Sequence, residues 1–210
     1  MLVEVFFEKT YTGDFYQPKP GDIVIDCGAN IGLFSLDVMR LEPSARVLAF
    51  EPFPENYSLL NRNLANAGFS MVETHNVALA GEKGHAVMEA VGKRSQDHRL
   101  NVSSEAEDLP HEQKTETLSF ADVIDLSGNR RIALLKCDIE GSEKEFILNA
   151  SKQHIELVDR FAIEWHDHIA PDTCQAISDC LGRTHHVTVT SDDPLGRYGM
   201  LYAAKPSTPR

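Results

Sequence analysis

The chain has 210 residues, 42% of them hydrophobic and 25% charged, which suits one domain with a substantial core. Its net charge of −12 argues against a nucleic-acid partner, because a phosphate backbone selects clusters of Lys and Arg. No apolar run reaches the ~20 residues that a membrane span needs, and the first residues lack the basic region of a signal peptide. We therefore expect a cytoplasmic protein that binds neither membranes nor nucleic acid.

Strand-like and helix-like patterns alternate along most of the chain, which predicts a parallel sheet with helices on both faces. The predicted parallel strands are Asp22–Cys27, Arg46–Phe50, Val72–Val77, Ile132–Leu135 and Phe161–Trp165. The predicted helices are Ile31–Leu41, Glu55–Ala67 (opened by Pro54), Glu143–Ala150 and Asp172–Leu181. Ser142 followed by Glu145 fits a capping box for the third helix.

The C-terminal part departs from this alternation. Val187–Thr190 and Met200–Ala204 are strand-like and are joined by SDDPLGRYG, which leaves no room for a helix. We predict that they form an antiparallel pair at the edge of the sheet. The dinucleotide-binding sheet has only parallel strands, so this pair argues against a nicotinamide cofactor.

Residues 1–210 are predicted to form a single domain in which residues 82–118 are an irregular insert. His85–Glu89 and Thr115–Leu118 are strand candidates, and the stretch between them is polar and rich in turn residues. It is either a mobile surface loop or a lid that recognises substrate, and both interpretations stay open.

A cofactor-binding loop is predicted where the first strand meets the first helix. The run DCGANIG contains the predicted loop residues Asp26, Gly28, Ala29, Asn30 and Gly32. Glycines let a backbone approach a ligand closely, and a helix start offers unpaired N–H groups. The spacing is not the GxGxxG of a pyrophosphate site. It suits a sulfonium amino acid, and Glu51 at the end of the second strand could bind both ribose hydroxyls.

Acidic residues and a histidine follow the fourth and fifth strands. Asp138 and Glu140 would face the glycine loop if the fourth strand lies beside the first. There they could orient a hydroxyl, accept its proton or hold an ammonium group. Glu164 and His166 end the fifth strand, and His166 is a candidate general base. A divalent ion held by His166 with Asp138, Glu164 and Asp167 is the minor alternative, and we assign no metal ligand.

With these clusters in place, the sequence resembles the FkbM family of S-adenosyl-L-methionine (SAM)-dependent methyltransferases. The motifs that carry the resemblance are PGDIVIDCGANIG (Pro20–Gly32), LAFEPFPENYSLLNRNLANAG (Leu48–Gly68), NVALAGEKG (Asn76–Gly84), LLKCDIEGSEKEFI (Leu134–Ile147) and IEWH (Ile163–His166). Residues 91–116 do not align with the family pattern.

The resemblance implies a class I, Rossmann-like α/β fold: a seven-stranded sheet of five parallel strands and a C-terminal antiparallel pair. It implies that SAM is the cofactor, that Glu51 binds its ribose and that Pro52 and Phe53 flank its adenine. The turn Asn76–Ala78 would close the adenine pocket. Asp138 would lie near the methionine end of SAM, with Glu140 facing the substrate.

The activity implied is O-methylation of a hydroxyl on a sugar, glycan or natural-product small molecule. Asp138, Glu140, Glu164 and His166 are then the predicted catalytic residues. Two alternatives remain from the sequence: an NAD(P)-dependent oxidoreductase, and a non-catalytic binding module on the same fold. The oligomeric state is not predicted.

Overall fold

The computed structural model describes residues 10–90, 98–101 and 112–206, and within them eleven strands and six helices. The strands are β1 (Ile23–Cys27), β2 (Arg46–Phe50), β3 (Glu73–His75), β4 (Ala78–Leu79), β5 (Gly84–Ala90), β6 (His98–Asn101), β7 (Glu112–Leu118), β8 (Leu134–Cys137), β9 (Arg160–His166), β10 (His186–Thr190) and β11 (Tyr198–Ala204). The helices are α1 (Leu33–Leu41), α2 (Pro54–Asn66), α3 (Phe120–Leu126), α4 (Glu143–Leu148), α5 (Lys152–Ile155) and α6 (Thr173–Leu181).

Seven strands form the main sheet in the order β3–β2–β1–β8–β9–β11–β10. The first five pair in parallel, and β11 runs antiparallel to both of its neighbours. This confirms the predicted Rossmann-like α/β fold with its C-terminal antiparallel pair. The strand order reverses between β1 and β8, and in open α/β sheets that is where ligands bind. In the described part of the chain, no helix is long and apolar enough to cross a membrane.

The main sheet has a core on each face. All five residues of β1 are buried, as expected of a central parallel strand. Successive side chains of a strand point to opposite faces. Ile23 and Ile25 therefore pack in one core with Phe161, while Val24 packs in the other with Val38 of α1. These two cores hold the carboxyl ends of the central strands at one edge.

The insert contains more regular structure than the sequence indicated. Strands β4, β7, β5 and β6 form a second sheet in that order. The strand candidates His85–Glu89 and Thr115–Leu118 are confirmed as parts of β5 and β7. The polar stretch predicted as loop or lid includes β6, which pairs antiparallel with β5. Pairing with β5 makes this polar segment a strand although its own sequence favours strand structure only weakly. Residues 91–97 and 102–111 lie outside the described residues, so the loop and lid interpretations stay predictions.

The predicted capping box of α4 is wrong. Ser142 is the residue before the helix, but its side chain makes no capping hydrogen bond within the described structure. Its φ of −93° and ψ of 0° lie outside the extended region from which an N-cap hydroxyl reaches the first turn. The carboxylate of Glu143 instead accepts hydrogen bonds from the turn that precedes the helix, as described below.

The fourth parallel strand lies two residues later than predicted. It spans Leu134–Cys137, while Ile132 forms only an isolated bridge with Val158. The shift places Lys136 inside the strand, opposite Asp26 of β1. The pairing brings the ammonium group of Lys136 within 3.3 Å of the Asp26 carboxylate, next to the candidate site described below.

Candidate functional site

The carboxyl ends of β1, β2, β8 and β9 meet at one edge of the main sheet. Cys27, the last residue of β1, is in register with Phe50 of β2 and Cys137 of β8. Each predicted cluster of site residues follows one of these strands or lies at its end. The structure thereby brings the glycine loop, Glu51 and the acidic residues together, as the sequence predicted from strand adjacency.

The glycine loop turns sharply away from β1 in the left-handed region. Gly28 has φ +76° and Gly32 has φ +88°, and Asn30 between them has φ +50°. The N–H groups of Gly28 and Ala29 both donate to the carbonyl of Phe50, at 3.0 and 2.8 Å. A Cβ on Gly28 would lie 1.7 Å from the carbonyl oxygen of Asp138. Gly28 is therefore required by backbone contact as well as by its φ angle.

Glu51 ties this loop to the end of β2. Its carboxylate is 3% exposed and accepts hydrogen bonds from the backbone N–H groups of Asn30 at 2.7 Å and Phe53 at 3.0 Å. Burial raises the pKa of Glu51 to about 6, although these hydrogen bonds act against the shift. Asn56 Nδ2 also donates to Oε1, at 3.5 Å, while Oε2 accepts only from Asn30 among the described residues and can accept a second hydrogen bond. Glu51 is thus placed where it could also accept a ribose hydroxyl.

Asp26 lies beneath the loop rather than on its surface. It is fully buried and accepts a hydrogen bond from Ser35 Oγ at 2.6 Å. Its Oδ1 lies 3.3 Å from Lys136 Nζ. Asp26 is thereby joined to the cofactor loop through Lys136, and its predicted direct role in cofactor binding stays a prediction.

The sequence places Lys136 beside Asp138 and Glu140 but does not indicate its role as a structural link. Its ammonium donates to the carbonyls of Cys27 at 3.1 Å and Gly28 at 2.6 Å. Burial lowers the pKa of Lys136, but the carboxylates of Asp26 and Asp138 outweigh it and the net pKa is raised. A lone lysine in the apolar run LLKC, adjacent to a strand that carries an aspartate, is the signal that could have indicated this pairing.

The residues predicted to surround an adenine follow Glu51 and β3. Pro52 and Phe53 are half-buried, and Ala78 is buried. Asn76 Nδ2 donates to the carbonyls of Glu51 at 2.8 Å and Pro52 at 2.9 Å. Asn76 therefore fixes the turn that presents Pro52 and Phe53. Their contact with an adenine stays a prediction.

Asp138, Glu140, Glu164 and His166 come together past the glycine loop. Ligand atoms of Asp138, Glu140 and His166 all lie within 4.8 Å of one another. His166 Nε2 is 3.6 Å from Glu140 Oε2 and 3.9 Å from Glu164 Oε1. Asp167 instead accepts a hydrogen bond from the N–H of Cys174 in the first turn of α6. The sequence thus identified the cluster, with Asp167 engaged elsewhere.

Glu143 is the second residue whose role the sequence analysis missed. An acid at a helix start suits the helix dipole, but Glu143 is also fully buried. Its carboxylate accepts from the backbone N–H groups of Ile139 at 3.1 Å and Gly141 at 3.0 Å. Its Oε1 also lies 3.0 Å from His166 Nδ1. Glu143 therefore fixes both the turn that carries Glu140 and the imidazole ring of His166.

The cluster crowds negative charge around one imidazole. Burial and the nearby Asp138 raise the pKa of both Glu140 and Glu164 to about 7. Burial lowers the pKa of His166, but its hydrogen bond and charge interaction with Glu143 prevail and raise it to about 9. Tyr11 Oη donates to Glu164 Oε2 at 3.1 Å. Such a cluster can accept a proton or hold a cation.

Known proteins resemble this chain in sequence and in fold. A sequence model described as the methyltransferase FkbM domain matches residues 26–186. Methyltransferase sdnD of Sordaria araneosa is 32% identical over 189 residues, covering 77% of this chain and 72% of its own. The 31-O-demethyl-FK506 methyltransferase FkbM of Streptomyces tacrolimicus is 28% identical over 218 residues, covering 91% of this chain and 83% of its own.

Solved structures share the fold at low sequence identity. Magnesium protoporphyrin IX methyltransferase from Synechocystis PCC 6803, with SAM bound, matches with a TM-score of 0.51 and 13% identity. The match covers 89% of this chain and 71% of that chain. At this identity the likeness establishes a common fold and nothing about substrate.

Proposed function

Because the chain belongs to the FkbM methyltransferase family, as its motifs predicted, we propose that it is a SAM-dependent O-methyltransferase. Its acceptor is a hydroxyl of a sugar, glycan or other natural-product small molecule. The observation that carries the proposal is the contact between Gly28 and the backbone of Asp138. Through this contact the glycine loop adjoins the acidic cluster, so that a methyl donor and an acceptor hydroxyl can be held side by side.

The described residues fit SAM as the donor. Gly28 and Gly32 allow the left-handed turn that places the loop backbone beside Glu51, and Glu51 Oε2 has a lone pair available for a ribose hydroxyl. Acidic Asp138 borders the loop on the side where the positively charged methionine end is expected. When bound, SAM supplies a methyl group on a sulfonium. The carbon–sulfur bond breaks as the carbon–oxygen bond forms, and the proton of the hydroxyl must leave.

The residues of this chain supply position and proton transfer. Much of the rate would come from holding donor and acceptor at reacting distance, since the sulfonium is already activated. His166 and Glu140 are the proton-acceptor candidates, with Asp138 and Glu164 orienting the hydroxyl. Against the effect of burial, the buried carboxylate of Glu143 stabilises the imidazolium form and raises the pKa of His166 to about 9, so His166 accepts a proton only at high pH and Glu140 is the acceptor near neutral pH.

Two further observations favour a small, uncharged acceptor. Four carboxylates, those of Asp138, Glu140, Glu143 and Glu164, lie in or beside the cluster, and the chain carries a net charge of −12. Both disfavour phosphate-rich acceptors such as nucleic acid. The relative from Streptomyces tacrolimicus is named for methylation at an oxygen of a natural product, which is consistent with a hydroxyl acceptor.

Calorimetric titration with SAM and with NAD tests the cofactor assignment. We expect SAM to bind and NAD not to bind. Glu51→Gln should weaken SAM binding about tenfold or more, the cost of losing hydrogen bonds to a charged acceptor. Glu156→Gln is the matched control, because Glu156 precedes β9 at the opposite edge of the sheet. Binding of NAD, or no SAM binding at millimolar concentration, would overturn the proposal and favour the oxidoreductase or the binding module.

Asp138→Asn tests the methionine end of the site. The substitution keeps the size of the side chain and removes its charge. We expect the substitution to lower SAM affinity or, once a methyl acceptor has been identified, the turnover number. If both quantities match those of the wild-type chain, Asp138 has no part in the reaction.

A further inference from the structure

The acidic cluster has the composition of a metal site as well as of a proton acceptor. Asp138 and Glu140 offer carboxylate oxygens and His166 offers an imidazole nitrogen, all within 4.8 Å of one another. Ligand atoms around an octahedral ion lie about 3 Å apart when adjacent and about 4.2 Å apart when opposite. The cluster is close to that span, and Glu140, whose side chain is 41% exposed, has freedom to move inward.

The burial and hydrogen bonding of His166 resemble those of histidines that bind metal ions. Its side chain is only 7% exposed, and its Nδ1 donates to the buried carboxylate of Glu143. This leaves Nε2 pointing into the cluster. Nε2 lies 3.6 Å from Glu140 and 3.9 Å from Glu164, too far for hydrogen bonds, and it makes none within the described residues. A carboxylate that fixes one ring nitrogen so that the other faces an ion is a recurring arrangement in metal sites.

The local charge favours a cation at this position. Asp138 Oδ1 is buried and has no hydrogen-bond partner among the described residues. The nearest ammonium group of the strand, Lys136, already donates to the carbonyls of Cys27 and Gly28 and lies 3.9 Å from Asp138.

We propose that Asp138, Glu140 and His166 form a binding site for a divalent metal ion, with His166 coordinating through Nε2. Two carboxylate oxygens and one imidazole nitrogen suit an ion such as Mn²⁺ better than Mg²⁺, which prefers oxygen ligands alone. The site shares its residues with the proposed function, but its occupancy does not depend on methyl transfer.

A bound ion would change the roles within the proposed reaction. It would leave coordination positions for water and for the acceptor hydroxyl, and it would lower the pKa of a coordinated hydroxyl. Glu140 and His166 would then be ligands rather than proton acceptors. Glu164, whose Oε1 faces the cluster 3.9 Å from His166, would be the remaining carboxylate able to take the proton.

Titration of the chelator-treated 210-residue chain with Mn²⁺, followed by the electron paramagnetic resonance signal of free Mn²⁺, tests the site directly. We expect one ion per chain. Glu140→Gln and His166→Gln should each weaken Mn²⁺ binding at least tenfold, while Glu156→Gln should leave it unchanged. Far-ultraviolet circular dichroism checks that each variant is folded. Glu140 serves as the more tolerant position because its side chain is partly exposed.

The proposal is overturned if the wild-type chain leaves the signal of 1 mM Mn²⁺ undiminished, or if both variants bind Mn²⁺ as tightly as the wild type. SAM titration of the same chelator-treated chain separates this result from the proposed function. If the chain binds SAM but not Mn²⁺, only the metal-site proposal is rejected. If it binds Mn²⁺ but not SAM, only the methyltransferase proposal is rejected.

Discussion

Gly28 illustrates how a single residue can serve both fold and site. Its left-handed φ of +76° would be open to several residue types at some cost, but its contact with the Asp138 carbonyl leaves no space for a Cβ. Gly21 has a similar φ of +80° and no described atom within 4 Å of the position of a Cβ. Comparing alanine substitutions at the two glycines therefore separates the free-energy cost of a left-handed backbone from the cost of close contact with Asp138.

We expect Gly28→Ala to lower the free energy of unfolding by more than about 3 kcal/mol, as strain and overpacking add. Gly21→Ala should cost only about 1–2 kcal/mol, the strain of a left-handed alanine. Urea unfolding followed by circular dichroism measures both. Equal losses in the two variants would mean that the backbone near Asp138 relaxes freely and that the loop is not held against it.

The raised pKa of Glu51 gives a prediction about pH. Burial raises it to about 6, while backbone hydrogen bonds from Phe53 and Asn30 and the charge of Lys136 oppose the shift. The ionised carboxylate is the better acceptor for ribose hydroxyls, so SAM affinity should fall as the pH falls through about 6. A group with this pKa is about nine-tenths ionised at pH 7 and one-tenth at pH 5, which predicts about a tenfold loss.

Calorimetry at several pH values between 5 and 8 checks this dependence. Glu51→Gln cannot ionise, so its weaker SAM binding should change less over the same range. If wild type and variant lose affinity in parallel, another titrating group is responsible and Glu51 is not the ribose acceptor.

The starts of α3 and α4 show that local sequence and tertiary structure together determine how a helix begins. The capping box that was predicted at Ser142 is absent there, whereas α3 has one formed by Ser119 and Asp122. Asp122 Oδ2 accepts the N–H of Ser119 at 2.9 Å, and Ser119 Oγ accepts the N–H of Asp122 at 3.3 Å. The spacing Ser-x-x-acid occurs at both helices. What differs is the backbone of the first residue, which is extended at Ser119 and not at Ser142.

Alanine substitutions should distinguish the two helix starts. We expect Ser119→Ala to cost about 1 kcal/mol of stability, a typical value for a lost N-cap. Ser142→Ala should cost less than about 0.5 kcal/mol, because no capping bond is lost. Denaturant midpoints at constant slope measure both changes. A larger loss at Ser142 would indicate that its hydroxyl has a partner after all.

Much of the main sheet could be predicted from the sequence, because its strands are apolar runs bounded by glycine, proline and acidic residues. Strand β6 could not, since its sequence HRLN has no alternation and its pairing with β5 decides its conformation. In the site, the residues that follow strands were found from their positions. Glu143 and Lys136 were not understood, because their roles depend on partners that are distant in sequence: His166, and the carbonyls of Cys27 and Gly28.

At the scale of the whole molecule, burial predicts an order of local stability. Strand β1 lies between β2 and β8 with every residue buried, whereas β10 pairs only with β11 and four of its five residues are exposed. Backbone amides of β1 should exchange with solvent only through global unfolding. Those of β10 should exchange through local opening, at a free energy at least about 2 kcal/mol lower. Hydrogen exchange followed by mass spectrometry resolves the two strands, and equal protection would contradict this order.

The links made by Lys136 and Glu51 have a consequence for the cycle of binding and release. Lys136 holds the carbonyls of Cys27 and Gly28, and Glu51 holds the N–H groups of Asn30 and Phe53, using protein atoms alone. Fixing a residue costs about 1–2 kcal/mol of conformational entropy, and here folding has already met that cost. For the proposed reaction, a preformed cradle holds the adenosine part of reactant and product alike. Dissociation of S-adenosylhomocysteine is then a natural limit on turnover.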